Sequence, residues 1–476
     1  MKKEVRYRKL WGKVTSANRR GGHMRHWGGG VALFVFWSFL LQVAVVPEAW
    51  ALGSGGFGNQ VVGLRALGKG NSATAQPEDA TTVYMNPAGM AFLEDPQIEA
   101  GVTFEVLQFD HTSFSGNPTE NEKSVIPVPH AFFTTGKSLD ERLSFGFGVA
   151  APFGLMTEWD DQSFARFQST IAELVTIEYN PVVAYKVSDN FALAAGFSYW
   201  DSLANLKKKV NVTRLNSDLG EGSPTGNQTG DQQIKADGHA WGYNLGLYYE
   251  PTENHHFGAA FRGKTSIQYK GRLRITGLTS TSAAVFGSTY ETRTESKLAL
   301  PESVEVGYAY TPPSKKWTWE TDFAWTGWDS IESTIYEWPE ETGATRLAVL
   351  NAAGVNPFPR DWKSTISVGT GFEYKALDWL KLRTGYYYYE TPVPGDHLEA
   401  SLPDTDRHNA TFGLGIEWKD LTLDAAYVLI MGDARRINNS VADAFDSSSI
   451  DGRASTLDGT FDSLSHLFGF NVSWVF

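Results

Sequence analysis

Cysteine is absent from all 476 residues. That excludes disulfides and thiolate metal sites. Beyond Leu52 no run of about 18 apolar residues occurs, so no transmembrane helix is expected in the rest of the chain. His-Glu-x-x-His, Gly-x-Ser-x-Gly and Gly-x-x-x-x-Gly-Lys-Ser/Thr are all missing. No catalytic residue, metal or cofactor is expected, and the chain is not expected to be an enzyme. A scattered triad built from His239, His408 and a serine stays open as a formal alternative, because triads need no local motif. Basic charge is scarce: 41 Lys and Arg face 54 Asp and Glu, a net charge of -13, which argues against nucleic acid as a partner.

What basic charge there is gathers first at the N-terminus. Nine Lys and Arg fall in the first 51 residues, followed by the apolar stretch Val31–Val46 and the small-x-small site Ala49-Trp50-Ala51. This reads as an export signal over 1–51, with Leu52 opening the mature chain. The remainder carries 32 basic and 52 acidic residues, a net charge of -20. An acidic exterior of this kind suits divalent cations and lipopolysaccharide.

After Pro96 the hydrophobic pattern has period two. Phe191, Leu193, Ala195, Phe197 and Tyr199 share one face, as do Trp241, Tyr243, Leu245, Leu247 and Tyr249, while Gly196, Ser198, Gly242 and Asn244 occupy the other. Aromatics crowd the apolar face of an exported chain, which points to lipid rather than to the core of a soluble sandwich. Strands are expected near 97–110, 125–137, 143–151, 172–187, 191–207, 236–250, 256–274, 294–311, 317–328, 361–375, 379–390, 404–418, 421–432 and 463–476. The last alternates through Phe468, Phe470, Val472 and Trp474 to Phe476, and such a strand needs a pairing partner if the sheet closes. The count of about fourteen is even, as a single-chain bacterial barrel requires. Connections alternate between short turns, expected in the periplasm, and long external loops; Glu341–Ala353 is expected to form a short helix in one of them. The fold class is therefore all-β, a transmembrane antiparallel β-barrel spanning 96–476.

Leu52–Asp95 lacks that alternation and is rich in Gly, Ala, Ser and Thr. Its small residues permit compact irregular backbone inside a lumen. On the strand 256–274, Arg262, Lys264, Lys270, Arg272 and Arg274 lie on the parity opposite Phe257, Ala259 and Phe261. A charge facing lipid costs about 2–4 kcal/mol at the midplane, so this ladder is expected to face the lumen, as are Lys381 and Arg383. Arg272 and Arg383 are then candidates for a ligand carboxylate; pairing with inward acids or with a plug is the plainer alternative. Lys207, Lys208 and Lys209 fall near an outer strand end, a solvated edge or a contact for lipopolysaccharide phosphates.

Four ordered segments carry a resemblance. They are Gly63-Leu64-Arg65-Ala66-Leu67-Gly68-Lys69-Gly70 with Asp79–Tyr84 and Asn86-Pro87-Ala88-Gly89-Met90; Ala151-Pro152-Phe153-Gly154-Leu155 with Thr157, Trp159 and Arg166; Asn180-Pro181 with Ala184–Val187; and Pro392-Val393-Pro394 with Leu402–His408. In this the chain resembles the FadL/TodX-type outer-membrane transporters of long-chain fatty acids and aromatic hydrocarbons. The resemblance implies a fourteen-stranded barrel plugged by an N-terminal hatch (52–95), in the outer membrane, with hydrophobic small molecules as cargo. It makes Leu52, Gly53, Asn86, Pro87, Ala88, Gly89 and Met90 hatch or gate candidates. The apolar loop 152–167 becomes a candidate ligand wall, with Phe153, Leu155, Met156 and Trp159 along an alkyl chain and Arg166 near a carboxylate. The leading expectation is passive, hatch-gated uptake of long-chain fatty acids by a monomer in contact with lipopolysaccharide and outer-membrane lipid. Aromatic hydrocarbons or alkanes are the alternative cargo; a lipid hydrolase is the alternative from another class, and a polar porin a third.

Overall fold

A computed structural model describes residues 56–59, 62–137, 139–222, 228–354, 357–438 and 457–476. The expected signal segment, Leu52 and Gly53 lie outside them. Fourteen antiparallel staves form one closed sheet. In chain order they are β1 Gln97–Val106, β2 Val125–Thr134, β3 Leu143–Glu158, β4 Ile171–Ser188, β5 Phe191–Asn211, β6 Thr229–Thr252, and β7, which runs as His255–Arg262 and then Thr265–Thr276. There follow β8, as Thr289–Leu300 and then Ser303–Tyr310, β9 Trp317–Thr326, β10 Thr365–Leu377, β11 Leu380–Tyr389, β12 Arg407–Trp418, β13 Leu421–Ile437 and β14 Gly459–Val475. The sheet closes where β14 pairs with β1, from Gln97 opposite Val475 to Val106 opposite His466.

The two-fold pattern explains the wall. Trp241 and Phe470 are each 58% exposed, and neighbouring Phe197, Tyr243, Leu245 and Val472 are exposed with them. In water such a face would cost tens of kcal/mol at about 25 cal/mol per Å²; in hydrocarbon it costs nothing. Several staves run far past the 9–11 residues that a bilayer needs, up to 24 in β6. The barrel therefore stands above the membrane on its long-loop side. Short helices cap that end, at Val212–Asp218, Ser280–Phe286 and Ala344–Gly354; the last overlaps the helix expected from sequence.

The basic ladder of β7 is a correction. Arg262 points inward, but Lys264, Lys270, Arg272 and Arg274 are exposed on the outer wall, and Ile267, Tyr269, Leu273 and Ile275 fill the inner face. The stave breaks at Gly263, whose N–H is taken by the Tyr243 carbonyl at 2.9 Å. An inserted residue there exchanges the two faces of everything beyond it.

Residues 62–95 line the inside of the barrel near its short-turn end and visit one stave after another. Leu64 lies against Gly469, Gly68 against Gly413, Lys69 against Gly371, Thr74 against Gly258, Asn86 against Gly246 and Met90 against Gly146. At Gly371 an added Cβ would run into the Lys69 carbonyl, and at Gly258 into that of Thr74; glycine on the wall is what lets irregular backbone approach so closely.

Candidate functional site

The N-terminal segment is held by polar groups as well as by apolar packing of Leu64, Leu67, Val83 and Met90 against the wall. Asp322 accepts the backbone N–H groups of Ala73 at 2.9 Å and Thr74 at 3.0 Å, and Glu320 that of Ala75 at 2.8 Å. Thr411 accepts from Gly70 N–H at 2.9 Å and donates to the Gly68 carbonyl at 3.1 Å. The buried Lys69 ammonium lies 3.0 Å from Glu78 and 3.3 Å from Glu320. Arg262 stacks 3.7 Å over the Tyr84 ring and also meets Glu178 at 3.1 Å. These contacts satisfy backbone that has no sheet partner, which irregular buried chain requires.

The 86–90 motif fastens this segment to the wall. Asn86 donates to Thr74 O at 2.8 Å and Leu247 O at 2.9 Å, and its side-chain oxygen accepts the Ala88 N–H. It thereby caps a 3₁₀ helix, Pro87–Phe92, in which Pro87, Ala88, Gly89 and Met90 are all buried. Pro87 at the first helical position loses no hydrogen bond.

Above the segment lies a cavity of about 640 Å³, within the range of small-molecule pockets. Phe57, Leu155, Leu174, Leu206, Ile234 and Tyr269 supply apolar lining. Cations reach the same space: Lys208, Arg214 and Arg360 line it, with Glu173 and Glu399 opposing them. Arg360 pairs with Glu399 and lies 5.6 Å over the Trp362 ring. Burial pushes its guanidinium down to about 10, still cationic at neutral pH.

Phe57 forms part of the cavity floor. Its ring meets Trp328 at 5.0 Å edge-on and Trp362 at 5.5 Å. The preceding Gly56 N–H is held by Asp404 at 2.8 Å, and Asp404 also takes Arg407 at 2.7 Å and the Thr391 hydroxyl at 2.6 Å.

The sheet has one weak seam. β2 and β3 pair only from Ala131 opposite Val149 to Thr134 opposite Gly146, although β2 pairs with β1 along all of Val125–Thr134. Thr135 N–H bonds to the Phe145 carbonyl, so odd residues of β2 aim their N–H toward β3. Pro127 and Pro129 share that parity, and proline has no N–H to offer. Across the seam stands Pro152, whose carbonyl faces the same edge. The vacated edge of β3 is taken by the N-terminal segment: Asn59 N donates to Pro152 O at 2.6 Å, and Gly154 N to Phe57 O at 2.9 Å. Replacing Pro127 and Pro129 with valine restores two donors, each worth about 1 kcal/mol. That is expected to extend the β2–β3 ladder and slow uptake severalfold in liposomes; unchanged uptake would show that cargo does not use the seam.

The sequence-expected ligand residues separate. Leu155 lines the cavity. Phe153 packs on Phe57 at 6.1 Å and Trp200 at 5.7 Å, and Met156 joins the same apolar cluster. Trp159 is buried and donates to Ala400 O at 2.8 Å, tying loops together. Arg166 is buried too, bonded to Ser163 O at 2.9 Å and stacked 4.7 Å from the Phe167 ring; neither residue lines the cavity. Arg272 is outside the barrel. Arg383 lies beneath the segment, 2.6 Å from both Glu373 and Asp424. Residues 152–158 are strand rather than loop. Sequence reasoning missed Phe57, Arg360 and Glu399, and gave Asp404 no role although it stands in the quoted 402–408 motif.

Comparison with known proteins is consistent over nearly the whole length. The sequence model of the family described as outer membrane protein transport protein (OMPP1/FadL/TodX) matches residues 45–476. A long-chain fatty acid transport protein of Escherichia coli is 24% identical over 480 residues, covering 93% of this chain and 99% of the relative. Among solved structures, a FadL homologue of Pseudomonas aeruginosa superimposes with a TM-score of 0.73 at 18% identity, covering 90% of this chain and 100% of the other. The toluene transporter TodX of Pseudomonas putida does so with 0.63 at 16% identity, covering 90% and 99%. At these identities the structural likenesses speak for the fold alone.

Proposed function

The chain belongs to the OMPP1/FadL/TodX family of outer-membrane transport proteins, and from that premise we propose that it takes up long-chain fatty acids by passive diffusion, with the N-terminal segment as the gate. Transport of hydrophobic molecules across the outer membrane is the family's work. The choice of a carboxylated cargo rests on one observation: an apolar cavity with Lys208, Arg214 and Arg360 on its lining. A monoaromatic hydrocarbon makes no use of these cations. A fatty acid places its tail among Phe57, Leu155, Leu174 and Ile234 and its carboxylate at Arg360, displacing Glu399.

Magnitudes require a gate. Each buried CH₂ is worth about 0.8 kcal/mol, so a chain of about sixteen carbons gains roughly 12 kcal/mol before ordering costs. Release is then the slow step unless the pocket changes shape. Phe57 is both pocket floor and the residue bonded to the open edge of β3. Withdrawal of 56–59 removes apolar contact from the tail and frees the seam in one movement. The same layout supports a hatch reading of Asn86–Met90, as the hinge about which 62–95 is held. No energy source is invoked, so flow follows the concentration gradient.

Arg360→Met is the test. Loss of one charge-assisted contact, about 1.5–3 kcal/mol, predicts a tenfold or greater rise in the Kd of a labelled fatty acid. Binding of an alkane of equal length is expected to hold within twofold. Equal losses for both ligands would remove the basis for a carboxylated cargo, and preferential binding of toluene by the parent protein would favour the hydrocarbon alternative.

A further inference from the structure

The displaced basic ladder lies on the outer wall, above the lipid-facing aromatics. Trp241 packs on Phe197 at 5.1 Å and Tyr199 at 4.7 Å, all facing outward. Lys264 adjoins this aromatic belt, since Thr265 Oγ1 bonds to the Trp241 carbonyl at 2.7 Å. Farther along the staves toward the long loops, register sets three cations side by side: Lys235 opposite Arg272, and Arg272 opposite Arg293. Lys297 lies between the two levels, opposite Gln268, and Arg274 lies beyond the triple row. Among the described residues of β6, β7 and β8, the outward basic residues Lys235, Lys264, Lys270, Arg272, Arg274 and Arg293 outnumber Asp231, Asp237, Glu291 and Glu295 by six to four, leaving aside Lys297, which also borders the cavity. This positive strip stands on a chain whose net charge is -13.

Like charges directly opposite on adjacent strands destabilise a sheet. Glu291 at 3.4 Å from Arg272 and Glu295 at 2.7 Å from Arg293 answer part of that repulsion. Lys235, Lys264 and Arg274 form no ion pair among the described residues. A row of cations held in register and only partly answered is a site for anions from outside.

The height of the ladder selects the anion. From Lys264 to Arg274 is ten residues, which at about 3.4 Å per residue and a tilt of about 40° spans roughly 25 Å of height. A glycerophospholipid puts its phosphate in a single plane near the aromatic belt. Lipopolysaccharide carries phosphates on its lipid A and further phosphates and carboxylates on its inner core, so its negative charge is spread along the membrane normal. We propose that the outer wall of β6, β7 and β8 binds lipopolysaccharide, with Lys264 at the level of the lipid A phosphates, the Lys235–Arg272–Arg293 row at the inner core, and its acyl chains on Trp241 and Phe197. The site is separate from the transport cavity and does not depend on the cargo.

The test uses purified full-length protein in detergent micelles, with rough-type lipopolysaccharide as probe and retained lipid counted by native mass spectrometry. The parent protein is expected to retain the lipid through washing. Enzymatic dephosphorylation of the probe is expected to lower retention at least tenfold, and so is the combined variant Lys235→Glu, Arg272→Glu, Arg293→Glu. A reversal of equal size on the periplasmic turns, Lys315→Glu, Lys316→Glu, Lys419→Glu, is expected to leave retention unchanged. Heat-modifiable gel mobility reports folding; if the triple reversal does not fold, Arg272→Gln with Arg293→Gln replaces it, with an expected loss of about fivefold. Retention untouched by either wall variant, or equal retention of phosphatidylglycerol, would overturn the proposal.

Discussion

A disulfide between Gly58→Cys and Phe153→Cys is expected to stop uptake more than tenfold, and reduction to restore it. The two residues face each other across an isolated antiparallel bridge, flanked by the bonds from Asn59 N to Pro152 O and from Gly154 N to Phe57 O. That makes them a non-hydrogen-bonded pair, whose Cα atoms lie about 4.5 Å apart, inside the range of about 4.4–6.8 Å that a disulfide spans. The chain has no cysteine of its own, so no competing bridge forms. Oxidation pins Phe57 as cavity floor and keeps the edge of β3 covered. Phe153→Cys also thins the aromatic contacts around Phe57, so the comparison that matters is oxidised against reduced protein of the same variant. Labelled fatty acid uptake into liposomes reads it directly. Equal rates in the two states would mean that cargo leaves without moving 56–59, and the gating role assigned to this segment would fall.

The fourteen staves were legible because lipid on one side and polar lumen on the other impose a two-residue period that any sequence must display. Faces were legible only as far as that period ran unbroken. At Gly263 one inserted residue inverts β7, and a single glycine in an otherwise regular strand does not announce it; Arg272 was therefore set on the wrong side. Pro152 gave the opposite error. Proline ordinarily ends a strand, but here its missing N–H faces an edge with little sheet partner, and β3 continues to Glu158. The site was less legible than the wall. Trp159 and Arg166 have the composition of a ligand wall, but Trp159 instead ties its loop to Ala400 and Arg166 bonds to Ser163 and stacks on Phe167 within its own loop. Phe57 is one aromatic among glycines, with no period to mark it. The bond between Gly56 and Asp404 joins positions 348 residues apart, a proximity that only closure of the barrel creates. Asn86–Met90 was legible because a side-chain cap followed by Pro-Ala-Gly has local geometry of its own.

Arg383→Met is expected to open the channel to ions and bulky antibiotics while weakening fatty acid and alkane binding alike. The guanidinium is buried at 2.6 Å from both Glu373 and Asp424, and the Cβ of Arg383 lies close to where Gly68 crosses Gly413. Removing one partner from a buried ionic cluster costs about 3–5 kcal/mol, because the remaining charges stay desolvated and unanswered. Glu373 keeps Arg65 at 3.6 Å and Lys381 at 3.6 Å; Asp424 has no other ion pair among the described residues. The cluster reaches the segment through Arg65, 3.6 Å from Glu373, so its rearrangement is felt in the docking of 62–95 as well as in the sheet. Single-channel conductance should rise severalfold and outer-membrane sensitivity to a large antibiotic should rise with it. The variant Arg383→Met, Glu373→Gln, Asp424→Asn removes cation and anions together and is expected to recover most of the closed behaviour, since deleting both sides of a buried pair is far cheaper than deleting one. A variant that stays closed, yet loses fatty acid binding while keeping alkane binding, would return Arg383 to the role of carboxylate receptor and move the ligand site from the upper cavity to the floor of the barrel.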